Sequence, residues 1–89
     1  MKIKKRTNKK IVLEFKKNED IQEALFWHDL SLEVIEGHIY LLDQRAGKLF
    51  YPLDDDRVLP ALIKEGGVFG FEREWEKKIE KELLTIIGY

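Results

Sequence analysis

The side chains in this chain best suited to catalysis or metal binding are His28, His38, Ser31, Thr7, Thr85, three tyrosines and the run Asp54-Asp55-Asp56. There is no cysteine, which removes thiolate nucleophiles, thiolate metal sites and disulfides together and fits a reducing compartment. Ser31 has no glycine-rich strand-to-helix turn around it to expose its hydroxyl, so it reads as a turn or helix-end residue. The two histidines stand ten apart without a His-Glu-x-x-His or His-x-Glu spacing, and would form a shared acid–base or metal site only if a hairpin packed on a helix brought them together. A calcium loop starting at Asp54 would need glycine at its sixth position and glutamate at its twelfth. Leu59 and Glu65 stand there, half the pattern, and the capping of a helix accounts for the three aspartates without an ion. Gly66-Gly67-Val68-Phe69-Gly70 lacks the lysine and preceding strand of a phosphate-binding loop. It reads as a connector with an aromatic that packs down, or as a mobile recognition loop. No catalytic residue, cofactor or metal is expected, and the chain is read as not an enzyme.

The elements that would carry these residues follow from composition and periodicity. An 89-residue chain has room for one domain, spanning 1–89, which buries only about 60% of its unfolded surface. Ten large aromatics and 44% hydrophobic residues make it too apolar for disorder, while 37% charged residues leave no membrane-spanning run. The basic start lacks the apolar stretch of a signal peptide, so a cytoplasmic protein is expected. Net charge is −1, yet residues 1–17 carry eight basic side chains against Glu14 alone, and residues 18–89 carry eight basic against sixteen acidic. Two uses fit this split. Residues 1–8 are a solubilising edge strand held against an acidic body, or a basic arm for phosphates.

Ile11, Leu13 and Phe15 alternate with Val12 and Glu14, which predicts a half-buried strand over 9–15. Asn18 is placed to cap a helix from 19 to about 29, whose main stripe is Ile21, Ala24, Leu25 and His28. Phe26 and Leu30 fall opposite that stripe. Residues 32–53 read as a three-stranded meander with turns at Gly37 and Gly47, and Pro52 ends the third strand or places it at an edge. Asp56 is expected to cap a helix over 57–65, closed by Gly66. A last helix from about 72 to 87 carries Phe71, Trp75, Ile79, Leu83 and Ile86 as its stripe, with Leu84 nearly opposite Trp75. The expected fold is α+β: an antiparallel sheet of about four strands in the order β-α-β-β-β-α-α, with helices on one face.

From residue 19 onward that order is similar to double-stranded RNA-binding domains, which use basic residues at the start of the helix after the third strand to hold phosphates. This chain has Asp54, Asp55 and Asp56 there, which would repel RNA. Small ribosome-dependent RNase toxins are similar in size but generally basic over the face that is acidic here. The stretch Ile39-Tyr-Leu-Leu-Asp through Leu49-Phe-Tyr to Asp55-Asp56-Arg57 resembles the hairpin and Asp-Asp-Arg segment of an uncharacterised bacterial domain family, a resemblance that implies no activity.

The expected function is therefore a non-enzymatic protein-binding module, such as a small bacterial or phage inhibitor, immunity or accessory protein. Its anchors would be the apolar Phe26, Leu30 and Leu84, and Asp54, Asp55 and Asp56 would favour a basic protein partner. The same apolar residues could instead make a homodimer. The alternative is nucleic-acid binding through Lys2, Lys4, Lys5, Arg6, Lys9 and Lys10, weak, sequence-independent and steeply salt-dependent.

Overall fold

The alternation of Ile11, Leu13 and Phe15 does build a strand, and its basic neighbour upstream builds another beside it. In the computed structural model, which describes residues 1–53 and 64–89, the chain runs β1 (Lys2–Arg6), β2 (Lys10–Phe15), α1 (Ile21–Phe26), β3 (Leu30–Ile35), β4 (His38–Asp43), β5 (Lys48–Pro52), β6 (Gly67–Glu72) and α2 (Lys77–Ile86). The six strands form one antiparallel sheet in the order β1-β2-β6-β5-β4-β3. The fold is α+β with six strands rather than about four. One of the added strands is β1. The other is β6, built from the glycine-rich stretch that reads as a connector.

The meander β3-β4-β5 forms as its turn residues demand, with Gly37 at φ 83° and Gly47 at φ 64°, conformations that cost an L-residue with a Cβ. Strand β5 ends at Pro52, as a residue without an N–H requires. Helix α1 is shorter than its periodicity suggests. Asp20 rather than Asn18 caps it, accepting from the Glu23 N–H at 3.1 Å, while Asn18 turns the chain at φ 59°. The helix stops at Phe26 and Asp29 reverses the chain at φ 55°, so Leu30 opens β3 instead of closing a helix.

Strand β6 enters between β2 and β5 and joins two smaller units. It pairs with β2 over its whole length, from Lys10↔Glu72 to Phe15↔Gly67, but with β5 only at Tyr51↔Glu72 and Pro52↔Phe71. The glycine just before it, Gly66, is needed because the backbones approach closely there. A Cβ on Gly66 would lie 2.7 Å from the Phe15 carbonyl oxygen, and φ there is +70°.

The two faces of the sheet have separate cores. The inner one gathers Ile11, Leu13, Phe15, Leu30, Leu41, Phe50 and Phe71 under Ile21 and Leu25 of α1. The outer one is smaller, with Ile35, Leu42 and Leu49 under Leu83 and Leu84 of α2 and Ile87 at its C-cap. Leu41 and Leu42 are neighbours on β4, as are Leu49 and Phe50 on β5, so α1 and α2 lie on opposite faces, not on one. Helix α2 also begins five residues later than its apolar spacing implies and turns a different side inward. Phe71 belongs to β6, Trp75 to the link before the helix, and Ile79 and Ile86 are exposed. The sheet curls strongly enough that Arg6 on the edge strand β1 ion-pairs Asp43 of β4 at 3.1 Å, across the three strands between them.

Candidate functional site

The residues singled out for catalysis do not assemble. His28 precedes β3 and His38 pairs with Ile35 at its far end, so a six-residue strand, roughly 20 Å long, separates them. The hydroxyl of Ser31 is taken up locally, donating to the Glu33 carboxylate at 3.0 Å and accepting from the Gln44 amide at 3.2 Å. Among the described residues, no three His, Asp or Glu side chains come together to hold a metal ion.

The anchors expected for a partner part company as well. Leu30 is 1% exposed in the inner core, because the helix ends four residues before it and the strand it opens points it inward. Leu84 is half-buried against the outer core, because the inward side of α2 is centred on Glu80, Leu83, Leu84 and Ile87. Asp54, Asp55 and Asp56 lie outside the described residues, as does most of the stretch over which a helix is expected, 57–65. Phe26 is the one of the three apolar anchors that faces solvent, at 69% exposure.

Phe26 is joined by Trp27, 75% exposed, a residue outside the anchors expected from the sequence. The two rings pack edge to face, 5.8 Å between centroids and 76° between planes. Beside Trp27 lies a shallow depression of about 220 Å³ lined by Glu19, Asp20, Glu23 and Ala24. Glu19 is held ionised. Its carboxylate accepts from the N-terminal ammonium and from the Lys16 N–H, and these bonds, the N-terminal one foremost, keep its pKa below the usual carboxylate range. The charge of Glu19 is matched by that ammonium, so the result is two large apolar rings with Asp20 and Glu23 as the negative groups beside Trp27.

A second aromatic surface lies on the outer face and was not visible in the sequence as a unit. Tyr40 of β4 and Tyr51 of β5 stand against Trp75, with centroids 5.8 Å and 5.3 Å from its ring and interplanar angles of 45° and 75°. With His38, Pro52 and Glu74 they line an open groove of about 440 Å³. Strand parity was the available signal, since Tyr40 and Tyr51 each sit one residue from an inner-core side chain, Leu41 and Phe50.

Trp75 is fixed where β5 and β6 diverge. There the backbone of Leu49 bonds to side chains: its carbonyl accepts from the Trp75 indole N–H at 2.7 Å, and its N–H donates to Glu80 Oε2 at 3.1 Å. Glu80 is 6% exposed and is gripped by Arg73, whose Nε and terminal nitrogen each donate to one carboxylate oxygen at 2.5 Å. Burial pushes the Glu80 pKa up as the largest single influence. The Arg73 hydrogen bonds, the Leu49 N–H and the charges of Arg73 and Lys48 together outweigh it, and the carboxyl sits below its usual range. A carboxylate whose acceptors are filled in this way satisfies a backbone group that the splayed strand would otherwise orphan. Its role is structural.

The basic residues of the first seventeen lie on β1, on β2 and in the turns around them. Lys4 pairs with Glu14 at 3.2 Å and Arg6 with Asp43, so part of the positive charge is neutralised within the fold. Lys2, Lys5 and Lys9 are exposed and Lys10 is half-buried. Residues 2–6 are thus an edge strand rather than a free arm, and no aromatic ring stands among them for base stacking.

No family model, curated protein or solved structure matches the chain. Among the described residues, no helix is long and apolar enough to cross a membrane.

Proposed function

We propose that this chain is a protein-binding module, of the kind that serves as a small inhibitor, immunity or accessory protein, and that Phe26 and Trp27 are its anchor. The observation that carries the reading is the exposure of two adjacent large rings that contact each other instead of the core. Exposed aromatic pairs of this kind cost hydration free energy until a partner covers them, and such residues dominate the energetics of protein interfaces. Asp20 and Glu23 beside Trp27 favour a partner that offers an apolar pocket edged with lysine or arginine. The roles expected of Leu30 and Leu84 pass to Trp27.

The test uses the full chain as bait in a peptide-display selection, followed by titration of the selected peptides. The expected result is enrichment of peptides that set lysine or arginine beside a large apolar residue. Their affinity should fall at least tenfold with Phe26→Ala or Trp27→Ala and weaken as salt rises. Selected peptides indifferent to both substitutions would count against the reading. Concentration-dependent dimerisation abolished by Trp27→Ala would replace it with self-association through the same pair.

A further inference from the structure

We propose that the outer-face groove formed by Tyr40, Tyr51, Pro52 and Trp75 is a second docking site, and that it takes a proline-rich segment in the polyproline II conformation that also carries a basic residue. The groove lies on the face opposite α1, so this inference does not rest on the Phe26–Trp27 reading. Three properties of the groove support it together.

The first is shape. Tyr51 meets Trp75 nearly edge-on and Tyr40 meets it at a tilt, so the packed rings present non-parallel faces to the groove they line. Pro52 extends this surface. A polyproline II helix has three residues per turn and rises about 3.1 Å per residue, so its pyrrolidine rings project as regularly spaced flat apolar wedges. Aromatic-lined grooves are the recurrent solution for binding such wedges.

The second is rigidity. The Trp75 indole is tied to the Leu49 carbonyl, and Tyr51 and Tyr40 are each packed on its ring. The platform is in place before a ligand arrives, so little rotamer freedom is lost on docking. Polyproline II segments are similarly stiff before binding.

The third is charge. Antiparallel partners share a face of the sheet, and the partners of the two tyrosines are acidic: Glu72 beside Tyr51 and Glu33 beside Tyr40. Glu74 lines the groove itself. Carboxylates therefore stand on both sides of the aromatic row, which suits a ligand carrying arginine or lysine next to its prolines.

The experiment is an NMR titration of the full-length protein, following the indole N–H resonances of Trp27 and Trp75 separately. The probe is a synthetic decaproline with one terminal arginine; the control is an equally long Ser/Ala peptide with the same arginine. The proposal expects the decaproline to shift the Trp75 indole and the Tyr40 and Tyr51 amides in a saturable way while leaving the Trp27 indole unmoved. Tyr51→Ala should weaken this binding at least tenfold and Glu74→Lys about threefold, while Phe26→Ala leaves it unchanged. Glu74 is exposed, so Glu74→Lys keeps the proposal open to refutation even if Tyr51→Ala disturbs the fold. Absence of saturable shifts at Trp75 would overturn it, as would equal binding of the control peptide, which would reduce the effect to charge. Shifts of the Trp75 indole on simple dilution would also overturn it, because the groove would then be occupied by a second copy of this chain.

Discussion

The two faces of the sheet are built on different terms. Under α1 the inner face is closed by apolar side chains, among them Leu13, Leu25, Leu41 and Phe50, with no exposure at all. Under α2 the outer face has three buried aliphatic side chains and, beside them, a buried carboxylate bound to an arginine and to the Leu49 N–H, with the Trp75 indole on the carbonyl of the same Leu49. The open stretch between β5 and β6 is met from the outer side, by Glu80 and Trp75 at Leu49, which leaves α1 free to close the inner face with apolar side chains. The outer face contains the place where β5 leaves β6, and a backbone amide left unpaired inside a protein costs about as much as a lost hydrogen bond. The polar group is therefore not a flaw in the smaller core but what allows the sheet to split there.

That contrast can be broken from either side. Phe50→Ala in the inner core should cost about 3–5 kcal/mol through lost transfer free energy and the cavity left behind, read as a lowered urea midpoint with an unchanged slope. On the outer face, Arg73→Ala leaves a buried carboxylate without its counter-charge. Because the arginine side is partly open to water, the cost should be about 2–4 kcal/mol, below the full penalty for a sealed pair. Replacing both partners, as Arg73→Met with Glu80→Leu, would be harmless if the pair were only a charge contact. It should instead recover only part of the loss, because the Leu49 N–H still lacks an acceptor.

Acid provides a subtler probe. The Glu80 pKa is lower in the folded protein than in the unfolded chain, where a glutamate titrates near about 4.3. Its contribution to stability is therefore complete above that pH and is lost as the pH falls through the folded value. Glu19 behaves the same way through the N-terminal ammonium. Glu80→Gln should flatten part of the acid limb of stability against pH and leave the remainder to Glu19. An unchanged limb would show that the buried pair does not set it.

The smallest effects separate the two aromatic surfaces. Trp75→Phe keeps a ring against Tyr40 and Tyr51 but removes the donor to Leu49, and should cost about 1–2 kcal/mol. Trp27→Ala removes a ring that the fold hardly touches and should change stability by less than about 0.5 kcal/mol. If thermal melts gave the reverse order, the assignment of Trp75 to the framework and Trp27 to a partner would be lost.

Elements whose signals are local were legible in the sequence. Gly37 and Gly47 marked the turns of the meander, and the alternation of Ile11, Leu13 and Phe15 marked β2. Strand β6 was hidden because glycine interrupts its alternation. Phe69 and Phe71 face inward, but on the other side Gly70 offers no side chain to read; a Cβ there would lie 2.7 Å from the Leu53 side chain. The last helix was misread for a related reason. Phe71, Trp75 and Ile79 are spaced by four, as on a helix, yet they belong to a strand, a link and a helix in turn. Its inward face is centred on Glu80, a residue type that burial arguments place outside. The candidate sites were harder still. Phe26 could be picked out as surplus apolar surface, but Tyr40, Tyr51 and Trp75 meet only through strand pairings that no local pattern encodes.

The position of β6 has a consequence for how the molecule comes into being. Among the described residues it is the last strand along the chain, yet it lies near the middle of the sheet, between β2 and β5. Until it arrives, the β1-β2 hairpin and the β3-β4-β5 meander each expose an open edge and half of an apolar core. Pairings between residues as distant as Lys10 and Glu72 must wait for long loops to close, which slows folding and leaves sticky intermediates. A nascent chain is thus most vulnerable to aggregation before β6 emerges, and the lysines crowded on the β1-β2 hairpin help keep that piece in solution while it waits.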